Sequence, residues 1–87
     1  MRRVVVTGMG MVTPVGRDLE TTWASLQEGR SGVGRITLFD AETFPTRIAA
    51  EATGFDLSTY IDDSERWTEY CRNTKFAIAA AQMAIDH

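Results

Sequence analysis

Residues 4–16 have the sequence Val-Val-Val-Thr-Gly-Met-Gly-Met-Val-Thr-Pro-Val-Gly. Valine favours an extended, buried backbone because its branched side chain restricts rotation about the Cα–Cβ bond. Glycine has no Cβ, so Gly8 and Gly10 allow a sharp turn or the close approach of another backbone segment. This stretch therefore predicts an inner strand over residues 4–6, followed by a glycine loop, in a fold of the α/β class.

The glycine loop begins like a dinucleotide-binding fingerprint, in which three glycines lead into a helix whose N-terminus faces a pyrophosphate. Thr13 stands where the third glycine belongs, Pro14 follows it, and the next helical pattern starts only near Asp18. A phosphate at this loop would therefore have no helix N-terminus against it. We favour a glycine turn packed in a core, with nucleotide binding as a distant alternative.

Two further elements follow the loop. Asp18 is a good N-cap and Gly29 a good stop signal, and between them apolar residues at helical spacing predict a helix that lies on the sheet. Those apolar residues are Leu19, Trp23 and Leu26. Alternation of apolar and polar residues over 46–52 predicts a second strand, with a short extended piece at 36–39 in the loop before it and a capped turn at 54–61.

The last predicted element is a long helix from about residue 63 to the end. Its proposed buried face consists of Trp67, Cys71, Thr74, Ile78, Ala81 and Ile85. The many alanines favour helix and allow its backbone to approach a neighbouring element closely. Neither a glycine cap nor a proline stop follows Ile85. We therefore expect residues 1–87 to be part of a larger domain, truncated within this last helix.

Composition narrows the possible functions. The 87 residues carry a formal charge of −3, and their nine Lys and Arg residues are scattered, which argues against nucleic-acid binding. No apolar run approaches the length of a membrane-spanning helix, so we expect a cytoplasmic chain with no membrane partner. A single cysteine allows no internal disulfide.

Several separated clusters, taken together, resemble a known family. They are residues 3–16, Trp23, and the segments 31–33, 39–40, 44–45 and 54–56. In this order they resemble the N-terminus of a beta-ketoacyl-acyl carrier protein synthase of the 3-oxoacyl-ACP synthase II type. The resemblance implies a thiolase-type fold, a parent protein several times longer than this chain, and condensation of acyl thioesters with malonyl-ACP in fatty-acid or polyketide synthesis.

The resemblance also implies where the chemistry lies. Family members use a cysteine nucleophile and two histidines, and none of these positions falls in this part of the chain. We therefore expect no catalytic, cofactor-binding or metal-binding residue within 1–87, no cofactor, and an inactive chain when isolated. The parent is expected to work with an acyl carrier protein and to form a homodimer. A free-standing small module that binds an acyl carrier or a partner enzyme is the alternative.

Candidate chemical groups within the chain support that expectation. Cys71 and His87 are separated by roughly 24 Å on one continuous helix, so they cannot form a nucleophile–base pair. We interpret Cys71 as an apolar filler on the buried face and His87 as solvated. The hydroxyls of Thr7, Thr13 and Ser31 have no histidine neighbour in the sequence and are interpreted as turn hydroxyls.

Acidic residues cluster before and within the start of the predicted helix, and we interpret them as dipole-favoured rather than metal-binding. They are Asp62, Asp63, Glu65 and Glu69. Glu65 and Glu69, four residues apart, are expected to share a helix face. In type II fatty-acid synthases this stretch is often basic and helps dock the acidic carrier. Only Arg72 matches the family pattern here. Two alternatives for the parent therefore stay open: a synthase of another pathway, or an inactive ketosynthase-like protein.

Overall fold

Two α-helices and a small antiparallel sheet form the regular structure of residues 2–87, which the computed structural model describes. In chain order the elements are α1 (Leu19–Glu28), β1 (Val33–Arg35), β2 (Ile48–Ala50) and α2 (Arg72–Asp86). Two 3-10 helices, Leu57–Thr59 and Ser64–Trp67, lie between β2 and α2. The predicted α/β class is confirmed. Neither helix has the length and apolar character that crossing a bilayer requires.

The valine run does not form the inner strand that its sequence predicts. Val4, Val5 and Val6 are 96%, 73% and 78% exposed. Within residues 2–87 no backbone hydrogen bond involves any of the three valines. Strands β1 and β2 pair only with each other. A β-strand needs a hydrogen-bonded neighbour, and residues 4–6 have none within residues 2–87. The inner strand predicted at 4–6 is therefore not formed within residues 2–87.

Helix α1 begins and ends where its caps predict. The Thr21 N–H donates to the Asp18 carboxylate at 2.7 Å, and Gly29 ends the helix with φ 73°. The predicted apolar face is not the buried one, since Trp23 is 60% exposed. Thr22 and Ser25 are buried instead, because they fit against the tight turn at residues 13–16 and satisfy its polar groups.

Replacing the Asp18 cap is expected to lower the stability of the chain. Asp18→Ala should cost about 1 kcal/mol of unfolding free energy, measured by urea denaturation. The Thr21 N–H lowers the pKa of Asp18 below its ordinary 3.8, with smaller help from the Thr21 side chain and Arg17 against slight desolvation. A lowered folded-state pKa stabilises the fold above 3.8, and that stabilisation is lost as the pH falls through the folded-state pKa. Asp18→Asn should retain the cap without this acid-dependent loss.

Strands β1 and β2 form a hairpin with Gly34 opposite Ala49. The predicted strand at 46–52 is confirmed in its central residues. The extended piece expected at 36–39 lies earlier in the chain, in β1. The hydrogen-bond ladder between β1 and β2 ends where the Ile36 N–H donates to the Arg47 carbonyl at 2.8 Å. It ends there because the next two N–H groups, of Thr37 and Leu38, donate to the Glu51 carboxylate instead.

Helix α2 begins at Arg72, nine positions later than its sequence pattern predicts. Cys71 has extended backbone angles, φ −73° and ψ 163°, so the preceding 3-10 helix does not continue into α2. The turn expected at 54–61 is confirmed, with the Ser58 N–H donating to the Asp56 carboxylate at 3.0 Å. Few apolar side chains are buried among residues 2–87: Ala41, Leu57 and Ala79.

Candidate functional site

The glycine loop packs directly on helix α2. A Cβ at Gly8 would collide with the carbonyl oxygen of Ala84, and one at Gly10 with the carbonyl oxygen of Ala80. Two residues of extended chain advance about 6.6 Å, and the four residues of helix between Ala80 and Ala84 advance about 6 Å. The loop segment therefore runs extended and antiparallel to α2, with every second residue against successive turns.

This contact answers the question of nucleotide binding. A dinucleotide loop presents its glycines to a phosphate beside the N-terminus of a helix, where N–H groups and a positive dipole end attract the anion. Here Gly8 and Gly10 face backbone carbonyls in the C-terminal half of α2, with Met83 Cβ also close to Gly10. Carbonyl oxygens and the negative dipole end repel a phosphate. The geometry supports the interpretation of these glycines as packing residues.

His87 takes part in the same contact. The Met9 N–H donates to His87 Nδ1 at 2.9 Å, although the pair is exposed. Nδ1 is the hydrogen-bond acceptor in this contact. The interpretation of His87 as merely solvated is therefore wrong, since its ring links the glycine loop to the end of α2.

Cys71 lies at the opposite end of α2 and is exposed, so its interpretation as a buried apolar filler is wrong. Its Sγ lies 3.5 Å from the Thr74 hydroxyl. That hydroxyl, and then the Thr74 N–H, lower the pKa of the Cys71 thiol against slight desolvation. The fifteen residues of α2 separate Cys71 from His87 by about 22 Å along the axis, so the structure does not bring the two together.

The thiol is expected to react at lower pH than an ordinary cysteine. The pH profile of alkylation by iodoacetamide should have its midpoint below 9.0, because hydrogen bonds stabilise the thiolate. Thr74→Val should raise that midpoint, whereas Thr59→Val, which removes a hydroxyl elsewhere, should leave it unchanged. A midpoint that ignores Thr74 would contradict this account of the thiol.

The acidic residues before α2 lie in a 3-10 helix and the turns on either side of it. Asp63 pairs with Arg66 at 3.3 Å in the 3-10 helix Ser64–Trp67. Glu69 lies in the turn beyond that helix, so the expectation that Glu65 and Glu69 share a helix face is wrong. No group of three or more potential metal ligands occurs within residues 2–87.

The turn hydroxyls are placed as predicted at two of the three positions. Thr13 Oγ1 lies 3.1 Å from Thr22 Oγ1 and donates to the Gly16 carbonyl at 3.0 Å. Ser31 Oγ accepts the Val33 N–H at 3.1 Å. These bonds satisfy local backbone groups, which confirms the interpretation for Thr13 and Ser31. Thr7 makes no hydrogen bond within the described part of the chain.

Arg72 joins the end of the hairpin to α2. The Arg72 guanidinium donates to the Ala52 carbonyl at 2.7 Å and lies 4.8 Å from the centre of the Phe76 ring. Desolvation acts to raise the pKa of Glu51, but the Thr37 hydroxyl, the N–H groups of Leu38 and Thr37, and the charge of Arg72 together lower it. Sequence reasoning missed the contact of Arg72 with Ala52 because no local pattern links positions 52 and 72.

Comparison with known proteins places these features in a family. Residues 1–84 match the profile described as "Beta-ketoacyl synthase, N-terminal domain". The chain belongs to the beta-ketoacyl synthase family. In this synthase segment Arg72 anchors the start of α2 to the end of the hairpin.

Similar proteins agree with this assignment. The 3-oxoacyl-[acyl-carrier-protein] synthase 2 of Synechocystis sp. is 41% identical over 87 residues, which are 98% of this chain and 20% of the relative. The synthase of the same name from Coxiella burnetii is 45% identical over 84 residues, 95% of this chain and 20% of the relative. The synthase segment thus spans about a fifth of the length of these curated relatives.

A solved structure extends the similarity to three dimensions. The structure titled "The ishigamide ketosynthase/chain length factor" matches with a TM-score of 0.76 and 37% sequence identity. The match covers 98% of this chain and 21% of that one. The synthase segment therefore has the backbone of a ketosynthase N-terminal part, and its described residues assemble no nucleophile–base pair.

Proposed function

We propose that these residues form the first structural segment of a synthase that condenses acyl thioesters with malonyl-ACP in fatty-acid or polyketide synthesis. The observation that carries the proposal is the family match over residues 1–84, in a chain that spans a fifth of its relatives. We further propose a thiolase-type fold, a cytoplasmic location and a homodimer for the parent. Within it, this segment contributes packing and no catalytic group.

The proposed role is to position the glycine loop on α2 and to anchor α2 to the hairpin. Gly8 and Gly10 form the first contact, and Arg72 with the Ala52 carbonyl forms the second. Both contacts join residues that are distant in sequence, so together they fix the relative placement of the N-terminal segment, the hairpin and the helix. A synthase needs such a rigid frame because its reacting groups come from elsewhere in the protein.

A chimera tests this proposal. The aligned first fifth of the Synechocystis synthase is replaced by this chain, and condensation of an acyl-ACP with malonyl-ACP is measured. We expect the chimera to retain activity within about tenfold of the parent, because the replaced segment supplies only a frame. A matched chimera carrying Gly10→Asp, which forces a charged side chain between the loop and α2, should lose activity. A soluble, folded chimera without condensation activity would contradict the proposal.

The isolated chain is expected to be catalytically inert. Cys71 and His87 lie at opposite ends of α2, so no base can activate the thiol. Incubation with an acyl-ACP should therefore leave the mass of the chain unchanged. A stoichiometric thioester on Cys71, abolished by Cys71→Ser, would show that the chain carries its own acyl-transfer site.

The proposed carrier partner meets an unusual surface here. The cations near the start of α2 are engaged internally: Arg66 with Asp63, Arg72 with Ala52, and Lys75 with the Thr68 carbonyl at 3.2 Å. Glu65 and Glu69 are exposed and make no side-chain hydrogen bond within residues 2–87. The cations keep their charge in these bonds, but the four carboxylates of Asp62, Asp63, Glu65 and Glu69 outnumber them, so this edge is net negative where related synthases often present positive charge. We propose that an acidic carrier docks poorly at this edge.

A further inference from the structure

The Glu51 carboxylate holds the loop that connects β1 to β2. One of its oxygens accepts the Thr37 hydroxyl at 2.9 Å, the other accepts the Leu38 N–H at 3.1 Å, and the two share the Thr37 N–H. We propose that this carboxylate is a latch for residues 37–45, and that the loop swings away as a folded unit when the carboxylate loses its charge. The inference does not depend on the proposed function.

The loop folds back over one face of the hairpin. Side chains alternate between the two faces of a strand, so Ala49 of β2 and Glu51 just beyond it lie on the same face. Thr37 lines the same cleft as these two residues. The hydrogen-bond ladder between the strands extends only to Ile36. Beyond that residue, the bonds to Glu51 keep the chain against the hairpin.

The loop is also held together by contacts of its own. The rings of Phe39 and Phe44 pack edge to face, with their centres 5.5 Å apart. The Phe44 N–H donates to the Ala41 carbonyl at 3.0 Å, and the Glu42 N–H donates to the Asp40 carboxylate at 3.1 Å. Each of these contacts joins one loop residue to another, so none of them has to break when the loop moves away from the hairpin.

Little packing opposes such a movement. A cavity of about 110 Å³ lies between the loop and the ends of the strands, lined in part by Arg35, Arg47, Phe39 and Ala41. Side chains that border a cavity lack part of the dispersion contact that a filled interface would give them. The ion pair of Arg35 with Glu42 also connects β1 to the loop, but both side chains are mostly exposed, and such pairs contribute little stability.

The charge of Glu51 is what makes the latch. A carboxylate has two acceptor oxygens, whereas the amide of glutamine has one acceptor and an NH₂ donor that would face other donors. Positive charges face Glu51 from two elements: Arg72 from α2, and Arg35 of β1, which lines the same cleft. Both arginines stay charged in acid, so protonation of Glu51 removes the negative partner alone.

The latch therefore depends on pH in a defined direction. Desolvation raises the pKa of Glu51, but the bonds from Thr37 and Leu38 and the charge of Arg72 together lower it below its ordinary 4.5. A lowered folded-state pKa means that the latch stabilises the closed loop above pH 4.5. That stabilisation is lost as the pH falls through the folded-state pKa.

Amide hydrogen exchange tests the latch. In the 87-residue chain at neutral pH, Glu51→Gln should speed exchange of the Thr37 and Leu38 amides about tenfold, because bonds to a charged acceptor are lost. The Phe44 amide should keep its exchange rate, because its acceptor lies within the loop. Unchanged exchange at both of the first two amides would overturn the proposal. So would faster exchange at Phe44, because the loop would then unfold instead of swinging.

Glu42→Gln is the matched control. It makes the same chemical change in the same loop and removes the ion pair with Arg35, but it should leave exchange at Thr37 and Leu38 unchanged. In the wild-type chain, exchange at these two amides, corrected for the intrinsic effect of pH, should rise below pH 4.5. Glu51→Gln should show no such rise. A rise of equal size in Glu51→Gln would overturn the assignment of the latch to this carboxylate.

Thiol labelling tests whether the loop moves as a whole. Ala41 lines the cavity and is only 7% exposed, so Ala41→Cys in a Cys71→Ser background gives a covered thiol. Adding Glu51→Gln should increase its rate of labelling about tenfold. Peptide-level exchange over residues 37–45 in the chimeric synthase repeats the comparison with the rest of the protein present. Unchanged labelling, or unchanged exchange in the chimera, would overturn the loop movement.

Discussion

Gly10→Ala is expected to lower the free energy of unfolding of the chain by about 1–3 kcal/mol. The added Cβ would collide with the Ala80 carbonyl oxygen and lie 2.7 Å from Met83 Cβ and 2.8 Å from the Ala84 nitrogen. Two of these three neighbours are helix backbone atoms, which cannot rotate away as a side chain can. The loop would therefore have to move off α2 and give up its contact. Urea denaturation followed by circular dichroism measures the loss.

Gly34→Ala is the matched control for this substitution. A Cβ at Gly34 meets no atom within 4 Å, and the residue does not have a positive φ. The same glycine-to-alanine change should therefore leave stability unchanged or raise it slightly, since alanine reduces the freedom of the unfolded chain. Equal losses at positions 10 and 34 would mean that the contact with α2 contributes nothing to the difference.

Glu65→Lys combined with Glu69→Lys, in the chimeric synthase, is expected to raise the association rate with an acidic carrier protein. Both carboxylates are exposed, and the acidic residues of this edge outnumber its cations, so the native edge repels an acidic surface. Reversing both charges should accelerate encounter by about tenfold at low salt. The gain should shrink toward unity as salt screens the charges, and the chemical step should not change. Stopped-flow binding across a salt series measures the effect.

A second double variant, with the same change in net charge on another surface, tests whether the association rate depends on where the charges lie. Glu20→Lys with Glu28→Lys places the two reversals on α1 instead, and should produce a much smaller gain. Slower association of the Glu65 and Glu69 double variant would show that these residues face a basic partner. It would also show that the carrier approaches the synthase from another side.

Features set by neighbouring residues were predictable from the sequence. The bounds of α1 follow from Asp18 and Gly29, because caps act within one turn of the helix end. The capped turn at Asp56 and the hydroxyl bonds of Thr13 and Ser31 are equally local. The sequence pattern is sufficient for these features because the residues that form each contact lie within a few positions of one another.

Features set by distant partners were not predictable in the same way. The helical period from Trp67 to Ile85 is unbroken, yet Cys71 adopts an extended backbone and α2 starts after it. The buried side of α1 is its polar side because a turn, rather than an apolar sheet, lies against it. The sequence suggested close packing for the glycines and for the alanine-rich helix separately. Only the structure shows that each is the other's partner.

The placement of the glycine loop on α2 also constrains biosynthesis. Met9 and His87 are 78 positions apart, so the valines and glycines leave the ribosome long before the helix that receives them. At ribosomal speeds this interval is roughly 4–16 s, far longer than the microseconds that a helix or hairpin needs to form. During that time the valine-rich segment and the glycine loop have left the ribosome without the helix on which the loop packs. A chaperone at the exit tunnel therefore meets this segment before its helix partner exists.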